Sequence, residues 1–203
     1  TSMMKLSSPA ASRNIGPITA LLDTLLPTTG RALELASGPG EHAVVFAARY
    51  PGIAWQPSDI DADALDSIGV RRLECGLLNI ELPLRIDLAA ANWHAEVLSG
   101  YDAMVAINVC HISPWAASLG LLAGAAEILN SNGALLVYGP FTRDGQHTAP
   151  SNEAFSVSLQ ARNSEWGVRD VEELAVHAGE RGLRLEQAHV MPSNNLVLES
   201  RKN

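Results

Sequence analysis

The stretch Leu33-Glu34-Leu35-Ala36-Ser37-Gly38-Pro39-Gly40-Glu41 constrains the fold more than any other part of the chain. A short apolar run ends in a turn with two glycines. The turn leads straight into residues 41–50, where Val44, Val45, Phe46 and Ala48 leave few polar positions and predict a helix. A strand that passes through a glycine turn into a helix is the opening half of a βαβ unit. Glycines there let the backbone approach a ligand closely, and the start of the helix offers N–H groups without intrahelical partners.

Around this unit the chain alternates. Ile18, Leu21, Leu22, Leu25 and Leu26 recur at helical spacing until Pro27-Thr28-Thr29-Gly30 stops them. Residues 32–35 read as a short buried strand and 53–57 as a second one. Residues 61–68 read as a helix capped by Asp59 or Asp61, and 84–88, 101–107 and 134–138 as further strands. A helix is expected over 114–129, with Ser113 as N-cap, Pro114 in first position, and Asn130-Ser131-Asn132-Gly133 as its C-terminal turn. Residues 139–152 lack apolar periodicity and read as a long loop. Helices over 152–161 and 170–181 precede strands over 183–191 and 195–200, which pair antiparallel across Pro192-Ser193-Asn194. Strands separated by helices predict an α/β fold: a mainly parallel sheet, helices on both faces, and a last antiparallel strand from the C-terminal hairpin.

At 203 residues one hydrophobic core suffices, and no linker or repeat divides the chain, so 1–203 reads as a single domain. Fourteen Lys plus Arg against 22 Asp plus Glu give a net charge of −8, without the basic stripe that a nucleic acid partner requires. No stretch approaches the ~18 apolar residues of a membrane span, and residues 1–14 lack the apolar segment of a signal peptide, so the expected location is the cytoplasm. Thr1-Ser2 ahead of Met3-Met4 reads as an addition before the natural start. Cys75 and Cys110 have no CxxC spacing and are expected as reduced, buried thiols. The six histidines show no ligand spacing, so no metal is expected.

Acidic residues stand at the ends of three successive strands: Glu34, Asp59 and Asp87. In an open α/β sheet ligands bind beyond the carboxyl ends of the strands, where these acids would point. At these positions the chain resembles the class I S-adenosylmethionine-dependent methyltransferases, whose first motif is acidic-x-Gly-x-Gly-x-Gly. Here the motif reads from Glu34 to Gly40, with Ala36 at the first glycine position, where its methyl group is tolerated if φ is negative. The resemblance implies a Rossmann-like sandwich with a seven-stranded sheet and S-adenosylmethionine as cofactor, S-adenosylhomocysteine being its product. It also implies that Asp59 binds the ribose hydroxyls, that Asp87 meets the adenine amino group, and that Ala36, Ser37, Gly38 and Gly40 pass beside the methionine and ribose portions. A dinucleotide turn, the competing reading, needs a third glycine where Ala43 stands.

A longer set of signatures spans almost the whole chain: Arg13-Asn14, Trp55-Gln56-Pro57-Ser58-Asp59, Asn108-x-x-His111-Ile112-Ser113-Pro114-Trp115, Tyr138-Gly139-Pro140-Phe141, Trp166-Gly167-Val168-Arg169-Asp170 and Met191-Pro192-Ser193-Asn194-Asn195. In these the chain is similar to an uncharacterised methyltransferase-like family of bacteria and animals, which implies the fold without a substrate.

Methyl transfer asks the protein mainly to align a nucleophile and exclude water. His111, just after the 101–107 strand, is the candidate general base; the plainer alternative is that it braces the following helix. Asn108 is the neighbouring candidate for a cofactor or substrate polar group. The chain lacks the Asp/Asn-Pro-Pro-aromatic turn of nucleobase amino-methyltransferases, which favours a small-molecule acceptor. Tyr138, Phe141, Asn152, Arg169 and Asn194 are the candidate substrate contacts, although Arg169 alternatively pairs with Asp170 or Glu172. Arg13 and Asn14 are read as an N-terminal arm over 1–14 that folds over the cofactor carboxylate, or else as a frayed end. A catalytically silent binding or scaffold protein is the alternative function.

Overall fold

The computed structural model describes residues 5–7 and 9–203, so the Thr1-Ser2 reading lies outside the described residues. The chain is α/β, with a mainly parallel central sheet and an antiparallel C-terminal strand. It divides into two compact units, Thr1–Asp87 with Tyr101–Val105, and Leu88–Gly100 with Ala106–Asn203. Among the described residues no helix is long and apolar enough to cross a membrane.

The first unit holds α1 (Pro9–Leu25), β1 (Gly30–Leu35), α2 (Glu41–Arg49), β2 (Ile53–Gln56), β3 (Ser58–Asp59), α3 (Ala62–Cys75), β4 (Leu84–Arg85) and most of β5 (Tyr101–Ile107). β1 lies between β5 and β2, and it pairs parallel with β2 from Gly30 opposite Ile53 to Leu33 opposite Gln56. Leu33, Leu35, Phe46, Ile53, Trp55 and Ile68 bury the apolar positions that define these elements.

Three boundaries differ from the sequence reading. α1 already starts at Pro9, because proline is favoured in a first helical turn and Ala10-Ala11 are strong helix formers. Arg13 and Asn14 therefore stand inside a helix instead of in an arm that precedes it. α3 continues past Ile68 to Cys75, with Arg72 Nε bonded to the Ile80 carbonyl at 2.8 Å, and stops at Gly76 in the left-handed conformation. Strand 84–88 shrinks to β4. Pro57 has no N–H, so the strand it interrupts continues as β3, which pairs with β4 in a ladder of its own. Among the described residues the central sheet holds six strands and this ladder stands outside it, so the expected seventh strand is not formed.

The second unit holds α4 (Trp115–Ile128), β6 (Leu129–Gly139), β7 (Phe141–Arg143), β8 (Gln146–His147), α5 (Pro150–Arg162), β9 (Arg169–Asp170), α6 (Val171–Gly179), β10 (Leu183–Met191) and β11 (Asn195–Lys202). β11 lies between β10 and β6 and is antiparallel to both, the arrangement the C-terminal hairpin predicts.

The 139–152 stretch is not a loop. Asp144 and Gly145, at φ 49° and 75°, make a two-residue turn that joins β7 to β8, and α5 begins at Pro150. Residues 129–133, read as a turn, belong to β6, although Asn132 does take φ 61°. The hydroxyl of Ser113 turns back to the Val109 carbonyl at 2.7 Å and does not cap α4.

Candidate functional site

In the first unit the glycine turn is built by its backbone. Ala36, Gly38 and Gly40 take φ of 50°, 59° and 93°. Ala36 thus adopts the left-handed region, contrary to the negative φ under which its methyl group is tolerated. The turn is then pinned from outside. The Ser37 N–H donates to the Ser58 carbonyl at 2.7 Å, the Ser58 hydroxyl donates to the Glu34 carbonyl at 2.6 Å, and the Ser58 N–H donates to Ser37 Oγ at 3.1 Å. On the far side the Pro39 carbonyl accepts from Ser67 Oγ at 2.8 Å and Arg71 Nε at 3.0 Å.

Asp59 is buried and joins this turn directly. Its Oδ2 accepts the Gly38 N–H at 2.8 Å and its Oδ1 accepts the Asp61 N–H at 2.9 Å. The Asp59 carbonyl takes the N–H of Ile86 at 3.1 Å, which brings the half-buried Asp87 one residue away. A carboxylate has about four lone-pair sites, so these two bonds leave Asp59 acceptor capacity.

Glu34 behaves differently from Asp59. It is 2% exposed, and its Oε1 accepts the Trp55 indole N–H at 3.0 Å. Burial lifts its carboxyl to about 7, opposed by the donors Trp55 and Ser37 and aided by the Asp59 charge. Its side chain supports the turn from within and presents no open face.

Among the described residues, none other than Gly38 and its chain neighbours comes within 4 Å of the point that a Cβ on Gly38 would occupy, and Gly40, the N-cap of α2, has no side-chain cap. Asn14 on α1 is buried with His42 on α2, Oδ1 to Nε2 at 2.8 Å, while Arg13 is exposed. His42 was legible only as an early helical residue; its pairing with Asn14 depends on how α1 docks, which no local pattern encodes. Ser67 and Arg71 likewise carried no sequence signal for the turn that they hold.

In the second unit the other candidates gather about the short turn Cys110–Ile112. Asn108 takes φ 56° and its N–H donates to the Tyr138 carbonyl at 3.0 Å. His111 is buried and its ring lies 5.7 Å from that of Phe155 on α5. Burial, and then the Arg169 charge, pull its imidazole down to about 4, so it is neutral at physiological pH.

The remaining candidates split between surface and core. Tyr138 Oη accepts from Asn195 Nδ2 at 3.0 Å, so Asn195 meets Tyr138 where the sequence reading favoured Asn194. Asn194 is exposed and offers its carbonyl to Asn152 Nδ2 at 3.0 Å, an interaction that braces the buried Asn152 at the start of α5. Phe141 is 1% exposed and packs in the core. Arg169 pairs with neither Asp170 nor Glu172. Its guanidinium donates to the carbonyls of Cys110, Ser113 and Glu165 at 3.2, 2.9 and 2.7 Å, and its charge sits over the Trp115 ring. Both cysteines are free thiols, Cys110 buried and Cys75 half-buried.

A sequence model of the family described as "Protein of unknown function (DUF938)" matches residues 5–202. Among solved structures, the fold is similar to that of a putative O-methyltransferase from Nostoc punctiforme at TM-score 0.79 and 18% identity, covering 96% of this chain and 57% of that one. An O-methyltransferase family protein from Burkholderia thailandensis superposes at TM-score 0.77 and 16% identity, over 96% and 58%. Human N-acetylserotonin methyltransferase in complex with S-adenosylmethionine does so at TM-score 0.76 and 16% identity, over 96% and 53%. The chain thus spans a little over half the length of these proteins, and at such identities the likeness establishes a methyltransferase-like fold.

Proposed function

The chain belongs to the DUF938 family, and we propose that it is an S-adenosylmethionine-dependent methyltransferase acting on a small-molecule acceptor in the cytoplasm. The observation that carries this reading is the left-handed glycine turn between β1 and α2 with the Asp59 carboxylate bonded to the Gly38 N–H. Such a turn brings backbone N–H groups and a carboxylate to one place while leaving open space at Gly38. Neighbouring folds that are methyltransferases support the same reading, and a net charge of −8 supports a small molecule over a nucleic acid.

When bound, S-adenosylmethionine supplies an activated methyl group to a nucleophile. In this chain Asp59 would hold the ribose hydroxyls, Asp87 the adenine amino group, and the Ala36–Gly40 backbone the methionine portion, with Arg13 and Asn14 as further contacts. His111 would accept the acceptor's proton, for which its neutral imidazole is in the required state at pH 7. Tyr138 and Asn195 supply the polar pair for acceptor binding in the second unit. The match over 5–202 supports treating both units as one functional domain.

Thermal melting tests the reading. S-adenosylmethionine and S-adenosylhomocysteine at about 1 mM should each raise the midpoint while NADH leaves it unchanged, because a ligand stabilises only the state that binds it. Asp59→Ala should abolish that rise. An unchanged midpoint with all three ligands overturns the enzyme and leaves the scaffold alternative.

A further inference from the structure

Two of the signatures, Asn108 to Trp115 and Trp166 to Asp170, lie far apart in the chain but form one device. Three carbonyls of the first are taken by donors of the second: Cys110 O by Arg169 Nε at 3.2 Å, Ser113 O by Arg169 Nη2 at 2.9 Å, and His111 O by the Gly167 N–H at 3.1 Å. The second segment is fixed in turn. The Val168 N–H donates to Ser156 Oγ on α5 at 3.2 Å, and Arg169 Nη2 closes its own loop on the Glu165 carbonyl at 2.7 Å. Among the described residues the His111 ring makes no hydrogen bond. A Cβ on Gly139 would stand 3.3 Å from its Nδ1, so β6 leaves the ring its room.

We propose that Arg169 is a positioning residue for His111: with the Gly167 amide it fastens the Cys110–Ser113 turn by its carbonyls, so that the imidazole is oriented through its backbone while its ring nitrogens stay available. This rests on reading His111 as the group that meets the acceptor's proton. It also gives the Trp-Gly-Val-Arg-Asp signature a task that neither a surface ion pair nor a direct substrate contact explains.

The surroundings of the ring decide how it titrates. Arg169 brings a positive charge; the Cys110 thiol is kept protonated because burial pushes it up; α5 contributes the uncharged Phe155, and β6 contributes Gly139. A positive charge near a buried imidazole favours its neutral form, so loss of that charge has a defined direction.

The test follows the ring and the turn separately in the full chain labelled at histidine and at backbone nitrogen. In Arg169→Met the His111 imidazole should titrate about one unit higher, and the Gly167 amide should exchange at least about tenfold faster. Arg169→Lys keeps the charge but not the forked donors. It should leave the titration near that of the unaltered chain while still speeding Gly167 exchange, and it also serves if the methionine variant does not fold. Unaltered titration and exchange in both variants would overturn the proposal. His111→Asn separates the two readings: if S-adenosylhomocysteine release with a metabolite extract is unchanged in it while Arg169→Met still moves the ring, the role of His111 fails and the clamp stands.

Discussion

Ala36 holds φ at 50°, a conformation that costs an L-residue roughly 1–2 kcal/mol and that glycine adopts freely. Ala36→Gly should therefore stabilise the chain by about 0.5–1 kcal/mol, the relief being partly offset by glycine's larger unfolded-state entropy; urea denaturation measures it. A lower midpoint in urea would mean that the methyl group packs usefully despite its backbone. The letters around this residue revealed the turn and its partner Asp59, because a strand, two glycines and a helix start are a local pattern. They did not reveal the sign of φ at Ala36, nor that Glu34 would face inward to Trp55 while Asp59, of similar chemistry, would face the Gly38 N–H. Those outcomes depend on Ser58 and Trp55, whose contacts form only once β1 and β2 pair.

Elements were legible wherever burial imposed a period. β1, β2, β11 and α2 follow their apolar residues closely, whereas β7 and β8 were lost in a polar stretch. The signal there was the dipeptide Asp144-Gly145, which suits a turn with positive φ at both positions, as found at 49° and 75°. The turn is tied down by Asp170, whose Oδ1 accepts the Gly145 N–H at 2.7 Å, and by Glu172, which pairs with Arg143 at 3.1 Å. Among the described residues nothing beyond its chain neighbours crowds a Cβ at position 145, so Gly145→Ala isolates the backbone cost. It should destabilise the chain by about 1 kcal/mol, measured by urea denaturation, without moving the melting increment caused by S-adenosylmethionine. A loss of that increment would tie this hairpin to ligand binding.

Over the whole molecule, two buried groups with opposite displacements set part of the response to pH. Glu34 titrates near 7 when folded and at 4.5 when free, so the stability it contributes is complete below 4.5 and lost as pH rises through 7. His111 titrates near 4 when folded and at 6.5 when free, so its contribution is present above 6.5 and lost as pH falls through 4. Each displacement corresponds to about 3 kcal/mol, and across the shared window the two slopes oppose each other. Relative to the unaltered chain, Glu34→Gln should gain stability with rising pH between about 4.5 and 6.5, and His111→Asn should lose it, both followed by denaturation at each pH. Parallel curves for all three proteins would show that neither group is displaced. Length and charge had indicated a single acidic domain. They were silent on the two compact units, since that division comes from which strands pair and from no break in composition.

The contact between Trp55 and Glu34 gives the protein an optical gauge of its own. The indole is wholly buried, and its N–H points at a carboxyl group that changes charge close to neutrality. Indole emission responds to a nearby charge, so the fluorescence of the folded chain should change with a midpoint near pH 7, and Glu34→Gln should remove that change. The color of the emitted light would then report, without label or substrate, whether the floor of the glycine turn is charged or neutral in the solution where cofactor binding is being measured.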